Sequence, residues 1–240
     1  MEKTLTDNIH FTKIFDICRM IQIETILDLI FKGFIIGVVA SAPMGPVGVL
    51  CIQRTLNKGR WFGFVTGIGA ALSDIIYALL TGYGMSFVLD YITNKENVFI
   101  LQLLGSILLL AFGYYTFRSN PVAAIRPVKQ GKGKGTYLHN FITAFVVCFS
   151  NPLIIFLFIG LFARFAFVQH GVVLFEAVTS YFAIFIGAIC WWFSITFFVN
   201  KVRKHFNLRG IWVINRVFGI IVMIASLAGL VFTLLGQSLY

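Results

Sequence analysis

Six apolar runs, at about 30–53, 62–89, 98–117, 139–163, 172–199 and 211–236, alternate with short polar segments along this chain. None carries the polar stripe of a helix on a soluble domain. Each exceeds the ~18 residues that mark a transmembrane helix. The pattern predicts an all-α, polytopic membrane protein with six spans. The first run is not a plain rod. Pro43, Gly45 and Pro46 interrupt it near its middle, about ten residues from either end. A proline inside a helix removes a backbone donor and clashes with the carbonyl one turn back. Two of them, three residues apart, predict a break near the bilayer midplane. Irregular backbone at that depth is tolerated only where it faces protein or a wet cavity. Discontinuous helices of this kind build the substrate sites of many transporters. A kink that serves packing alone is the competing reading.

The fourth run repeats the interruption. A shift of 109 residues lays Ala40-Ser41-Ala42-Pro43 on Phe149-Ser150-Asn151-Pro152, and carries run two onto run five. Each half then holds three spans, an odd number, so the halves enter the membrane in opposite senses. This predicts a 3+3 inverted repeat with spans one and four broken. The expected units are a tail or interfacial helix over 1–29 (Met20 being an alternative start), a first repeat over 30–117, a basic cytoplasmic linker over 118–138 and a second repeat over 139–236.

Composition sharpens the class. The chain is 59% hydrophobic and 12% charged, against about 25% charged residues in soluble domains. Its net charge of +10 would suggest a nucleic-acid partner in a soluble protein. Here the cations sit between spans, which points to topology and anionic headgroups and away from nucleic acid. Loops one, three and five carry Arg54, Lys58 and Arg60, then Arg118, Arg126, Lys129, Lys132 and Lys134, then Lys201, Arg203, Lys204 and Arg209. Loops two and four carry Lys95 and Arg164. Positive loops stay cytoplasmic, so both termini are expected outside. Cys18, Cys51, Cys148 and Cys190 have neither zinc-site nor disulfide-framework spacing.

Of nine acidic residues, Asp74 alone is deep. It lies thirteen residues after Trp61 and sixteen before Asp90, or ~20 and ~24 Å at the helical rise. A carboxylate at mid-membrane costs several kcal/mol unless paired, wet or protonated, and is functional by default. That suits a proton carrier; a protonated acid used only for packing is the alternative. Small residues at four-residue spacing (Gly33, Gly37, Ser41, Gly45; Gly59, Gly63, Gly67, Ala71) let backbones approach. Packing those two stripes together would carry Asp74 to the first break. The candidate substrate and ion site is therefore Ser41, Pro43, Gly45, Pro46 and Gly48 with Asp74, Tyr77, Ser150, Asn151 and Pro152. Half-helix N-termini at the breaks can receive a carboxylate, and Asp74 an ammonium group or a proton. Trp191 and Trp192 read as packing, and His139 as interfacial. No catalytic set, metal set or cofactor motif stands out.

Ser-Ala-Pro-Met-Gly-Pro-Val-Gly at 41–48, Arg54-Thr-Leu-Asn-Lys-Gly-Arg60, Gly67-Ile-Gly-Ala-Ala-Leu-Ser-Asp74 and Asn151-Pro152 occur in order. Together, over about residues 25–236, they resemble the lysine-exporter (LysE/RhtB-type) amino-acid translocators. The resemblance implies a six-helix carrier of the plasma (inner) membrane that expels amino acids or related small metabolites, with protons as the coupling ion. Members often continue the second break as Asn-Pro-Lys; Leu153 stands here, so a charge after Asn151 does not carry over. The wider superfamily includes metal-ion exporters. A metal-cation exporter, and an intramembrane thiol relay or enzyme using Cys51 and Cys148, stay beside the amino-acid reading. A homo-oligomer is left open.

Overall fold

The computed structural model describes residues 24, 26–43, 45–90, 95–119, 136–168, 174–202 and 209–235. The expectations placed on residues 1–23, and on the linker between 119 and 136, fall outside them. All regular structure among the described residues is helical. The helices are α1 (Ile26–Ser41), α2 (Pro46–Lys58), α3 (Arg60–Asp90), α4 (Lys95–Arg118), α5 (Tyr137–Phe149), α6 (Leu153–Arg164), α7 (Leu174–Lys201) and α8 (Arg209–Leu234). Four are long and apolar enough to cross a membrane alone. The bent pairs α1–α2 (79°) and α5–α6 (72°) bring the spans to six.

A bend that sharp could instead turn the chain back on itself, and the neighbours decide against it. Along α7 in ascending order, Ser180 and Ile184 meet Gly33 and Gly37. Further on, Ala188 and Trp192 pack in one cluster with Val47 and Cys51, and Val199 packs with Val49 and Ile52. The α1–α2 pair therefore advances beside α7 in one direction, as a broken span does. The α5–α6 pair advances beside α3 in the same way: Gly69 lies against Phe141 and Ala144, and Gly82 against Phe162. Each broken span thus runs parallel to a continuous helix of the other half. The remaining pair, α4 and α8, is antiparallel, since Gly113 meets Met223 while Phe117 meets Gly219. These directions fit spans that alternate through the bilayer.

The small-residue stripes do not pack on each other as their spacing suggests. Gly33 and Gly37 face α7, Gly63 faces Thr55 and Cys51 of α2, and Gly67 faces the Trp192 ring. The 79° bend is the reason: it turns the two halves of span one towards different neighbours. A Cβ at Gly37 would strike the Ile184 carbonyl oxygen, a backbone atom that cannot swing aside, whereas one at Gly45 would meet nothing within 4 Å. Gly37→Ala is accordingly expected to cost about 1–3 kcal/mol through overpacking. Thermal unfolding in detergent should show a lowered Tm for Gly37→Ala and an unchanged one for Gly45→Ala.

Arg54 also departs from its reading as a loop charge. Its guanidinium turns inward and donates to Thr66 Oγ1 (3.0 Å), the Asn140 carbonyl (2.8 Å) and Thr143 Oγ1 (2.6 Å). One side chain thereby ties α2, α3 and α5 at their basic ends. Five donors in a rigid fork make arginine suited to that task.

Candidate functional site

Asp74 sits where the two breaks meet. Its helix, α3, touches both α2 and α5, and the residue is buried, at 4% exposure. Ser41, the last residue of α1, donates its hydroxyl to Asp74 Oδ2 at 3.0 Å. Cys148, near the end of α5, donates its thiol to Asp74 Oδ1 at 3.4 Å. Each carboxylate oxygen is thus held by a neutral donor from a different broken span. Both donors can turn elsewhere when a ligand arrives.

Beside Asp74 lies a cavity of ≈ 230 Å³. The first break contributes Ser41, Pro43, Gly45, Pro46 and Gly48, and the second contributes Cys148 and Asn151. Pro46 opens α2 at its first turn, and no side chain caps that helix start. Proline is pre-set for such a position and lacks an N–H that would go unpaired. The second helix start is treated differently, because Asn151 Oδ1 accepts the Leu153 N–H at 3.3 Å. The free helix start belongs to the first break.

Three expected site residues lie outside the cavity lining. Tyr77 donates its hydroxyl to the Phe149 carbonyl and stacks on the Phe149 ring, so it braces the second break from behind. Ser150 is exposed, with its hydroxyl folded back onto the Val146 carbonyl at 2.7 Å. Pro152 is the cap position of α6. Cys148 occupies the place expected of Ser150, because the helix continues to Phe149 and rotates Ser150 outward.

Residues the sequence reading passed over complete the walls. Phe112 and Tyr115 of α4, Ile154 and Leu157 of α6, and Trp192 of α7 line the cavity. Trp192 is 3% exposed, and its indole N–H meets no acceptor among the described residues. At the far end lie Thr116, Ser119 and Asn215. Asn215 donates to the Thr116 carbonyl (3.0 Å) and to Ser119 Oγ (2.8 Å), joining α8 to α4. A lone amide in the sixth apolar run was the available signal for Asn215. Nothing in sequence announced that Gly67 makes room for the Trp192 ring. Opposite that end, below Leu157, the core closes with Phe158, Phe162 and Phe167, whose rings are 5.7 and 4.7 Å apart in succession.

Spans broken at a shared chamber, with a carboxylate held between the breaks, define a multi-pass membrane transporter. The family model for the LysE type translocators matches residues 38–235, and the chain belongs to that family. A Bacillus subtilis (strain 168) protein described as "Putative amino acid efflux protein YcgF" is 25% identical over 194 residues, covering 77% of this chain and 88% of the relative. An Escherichia coli (strain K12) protein described as "Uncharacterized membrane protein YahN" is 26% identical over 179 residues, covering 73% and 77%. No solved structure matches the chain. The chain is thus a translocator of the plasma (inner) membrane, from a transporter family and not an enzyme family.

Proposed function

We propose that the chain exports amino acids or related small metabolites by proton-coupled alternating access. The observation that carries this reading is the placement of Asp74: bonded to both breaks, buried, and facing a chamber with a free helix start. An amino acid brings an ammonium group and a carboxylate a fixed distance apart. Asp74 meets the first, and the α2 N-terminus the second through its amides and dipole. In the absence of substrate a proton takes the place of the ammonium on Asp74. The two cations then compete for one group, which couples outward passage of substrate to inward passage of a proton.

The direction of loading fits export. The chamber runs from Asp74 towards Ser119 and Asn215, next to the basic segments that the positive-inside rule places in the cytoplasm. The aromatic core of Phe158, Phe162 and Phe167 fills the opposite side. This is the arrangement of a carrier waiting for cytoplasmic substrate. For a metal cation, one carboxylate, one thiol and one hydroxyl form a poor ligand set. As for a thiol relay, Cys51 donates to the Gly63 carbonyl at 3.3 Å while Cys148 donates to Asp74, so the two thiols serve separate contacts. The test is efflux of preloaded amino acids from proteoliposomes with and without an imposed pH gradient. Gradient-stimulated efflux supports the reading; efflux of divalent metals but of no amino acid would overturn it.

A further inference from the structure

Resting on the amino-acid reading, we infer that the chamber selects neutral amino acids with apolar side chains and turns away both lysine-like and glutamate-like ones. Charge is the first argument. Among the described residues lining the chamber, Asp74 is the one carboxylate, and there is no lysine, arginine or histidine. A backbone ammonium uses that carboxylate. A second ammonium, as in lysine, would enter with no acid left to meet it. A second carboxylate, as in glutamate, would enter with no cation at all. An unpaired charge taken out of water costs several kcal/mol, far more than the contacts of a small ligand return.

The substrate carboxylate is a different case, because uncharged donors are already in place for it. The α2 start has no side-chain cap. Its first turn lines the chamber through Pro46, Val47 and Gly48. With the two charged ends assigned, much of the remaining wall is apolar, including Phe112, Val147, Ile154 and Leu157, alongside the polar Tyr115, Thr116, Ser119 and Asn215. The apolar part of that surface rewards a hydrocarbon side chain. The amide N–H groups of Asn215, at the mouth, are already given to Thr116 and Ser119. The volume of ≈ 230 Å³ lies below the ~300 Å³ at which pockets for drug-sized ligands begin, as expected for a single amino acid.

The experiment is counterflow in proteoliposomes holding the full-length chain, with radiolabelled leucine, phenylalanine, lysine and glutamate offered in turn. Leucine and phenylalanine should exchange at least roughly tenfold faster than lysine and glutamate, one uncompensated charge being worth more than the 1.4 kcal/mol of a tenfold step. Exchange of lysine or glutamate at the leucine rate overturns the selectivity while leaving an amino-acid carrier standing. Exchange of none of the four removes the amino-acid reading and the selectivity with it. Two variants read the walls separately. Phe112→Glu supplies a second acid and should raise the lysine-to-leucine ratio, a quantity independent of how much protein folds. Val147→Thr keeps the shape, puts a hydroxyl into the apolar wall, and should raise the leucine KM roughly tenfold. An unmoved ratio in the first variant, or an unmoved KM in the second, counts against the assignment.

Discussion

Asp74→Asn should abolish proton-driven export while the protein still accumulates in the membrane. The replacement is close to isosteric, and an amide oxygen can still accept the Ser41 hydroxyl that now donates at 3.0 Å. Packing around α3 therefore changes little. What disappears is the one carboxylate among the described residues lining the chamber, the group that on the proposed reading carries the proton and balances the ammonium. Hydrogen bonds to charged groups contribute about 1.5–3 kcal/mol, so substrate affinity alone should fall roughly 10- to 100-fold. Coupling should vanish altogether, since asparagine has no proton to exchange. Efflux measured with and without a pH gradient, alongside immunoblots of the membrane fraction, separates these effects. Gradient-stimulated efflux at the wild-type level would take Asp74 out of the mechanism.

The double replacement Pro43→Ala with Pro46→Ala should have the second-largest effect, and by a different route. Alanine is favoured over proline in a helix interior by about 3 kcal/mol per residue. It also restores the two backbone donors that the break lacks. Span one should then straighten through the 79° bend, swinging Ser41 and the α2 start away from Asp74. Each charged-group hydrogen bond lost this way is worth roughly tenfold in binding. The straightened span itself stays apolar and membrane-compatible, so export should fall more than protein level does. Resistance of cells to toxic amino-acid analogues gives a simple readout; undiminished resistance in the double variant would show that the break is dispensable.

Much of this arrangement is legible in sequence because the bilayer leaves few choices. Apolar runs long enough to cross it stand out, and prolines within them mark breaks that only a protein-lined or wet chamber can tolerate. Asp74 is legible for the same reason, a deep acid being too costly to keep idle. Partner choice is where the reading fails. Comparing the halves at a shift of 109 sets Cys148 against Val39, so the repeat does not mark that cysteine. The halves meet through non-equivalent positions, however, and Cys148 reaches Asp74 across the interface. Gly33 and Gly37 announce close helix approach but not that α7 is the partner. Arg54 looks like one more cytoplasmic charge until Thr66, Asn140 and Thr143 surround it. Spacing along one helix fixes which residues share a face; it does not say what that face will meet.

The contact between Asn151 Oδ1 and the Leu153 amide is one place where the two breaks differ. By answering that amide itself, the second break leaves less there for a guest to bind. The first break has no such contact at Gly45 and Pro46, so on the proposed reading it is the end at which a carboxylate docks. On that reading a zwitterion has a single way round in the chamber.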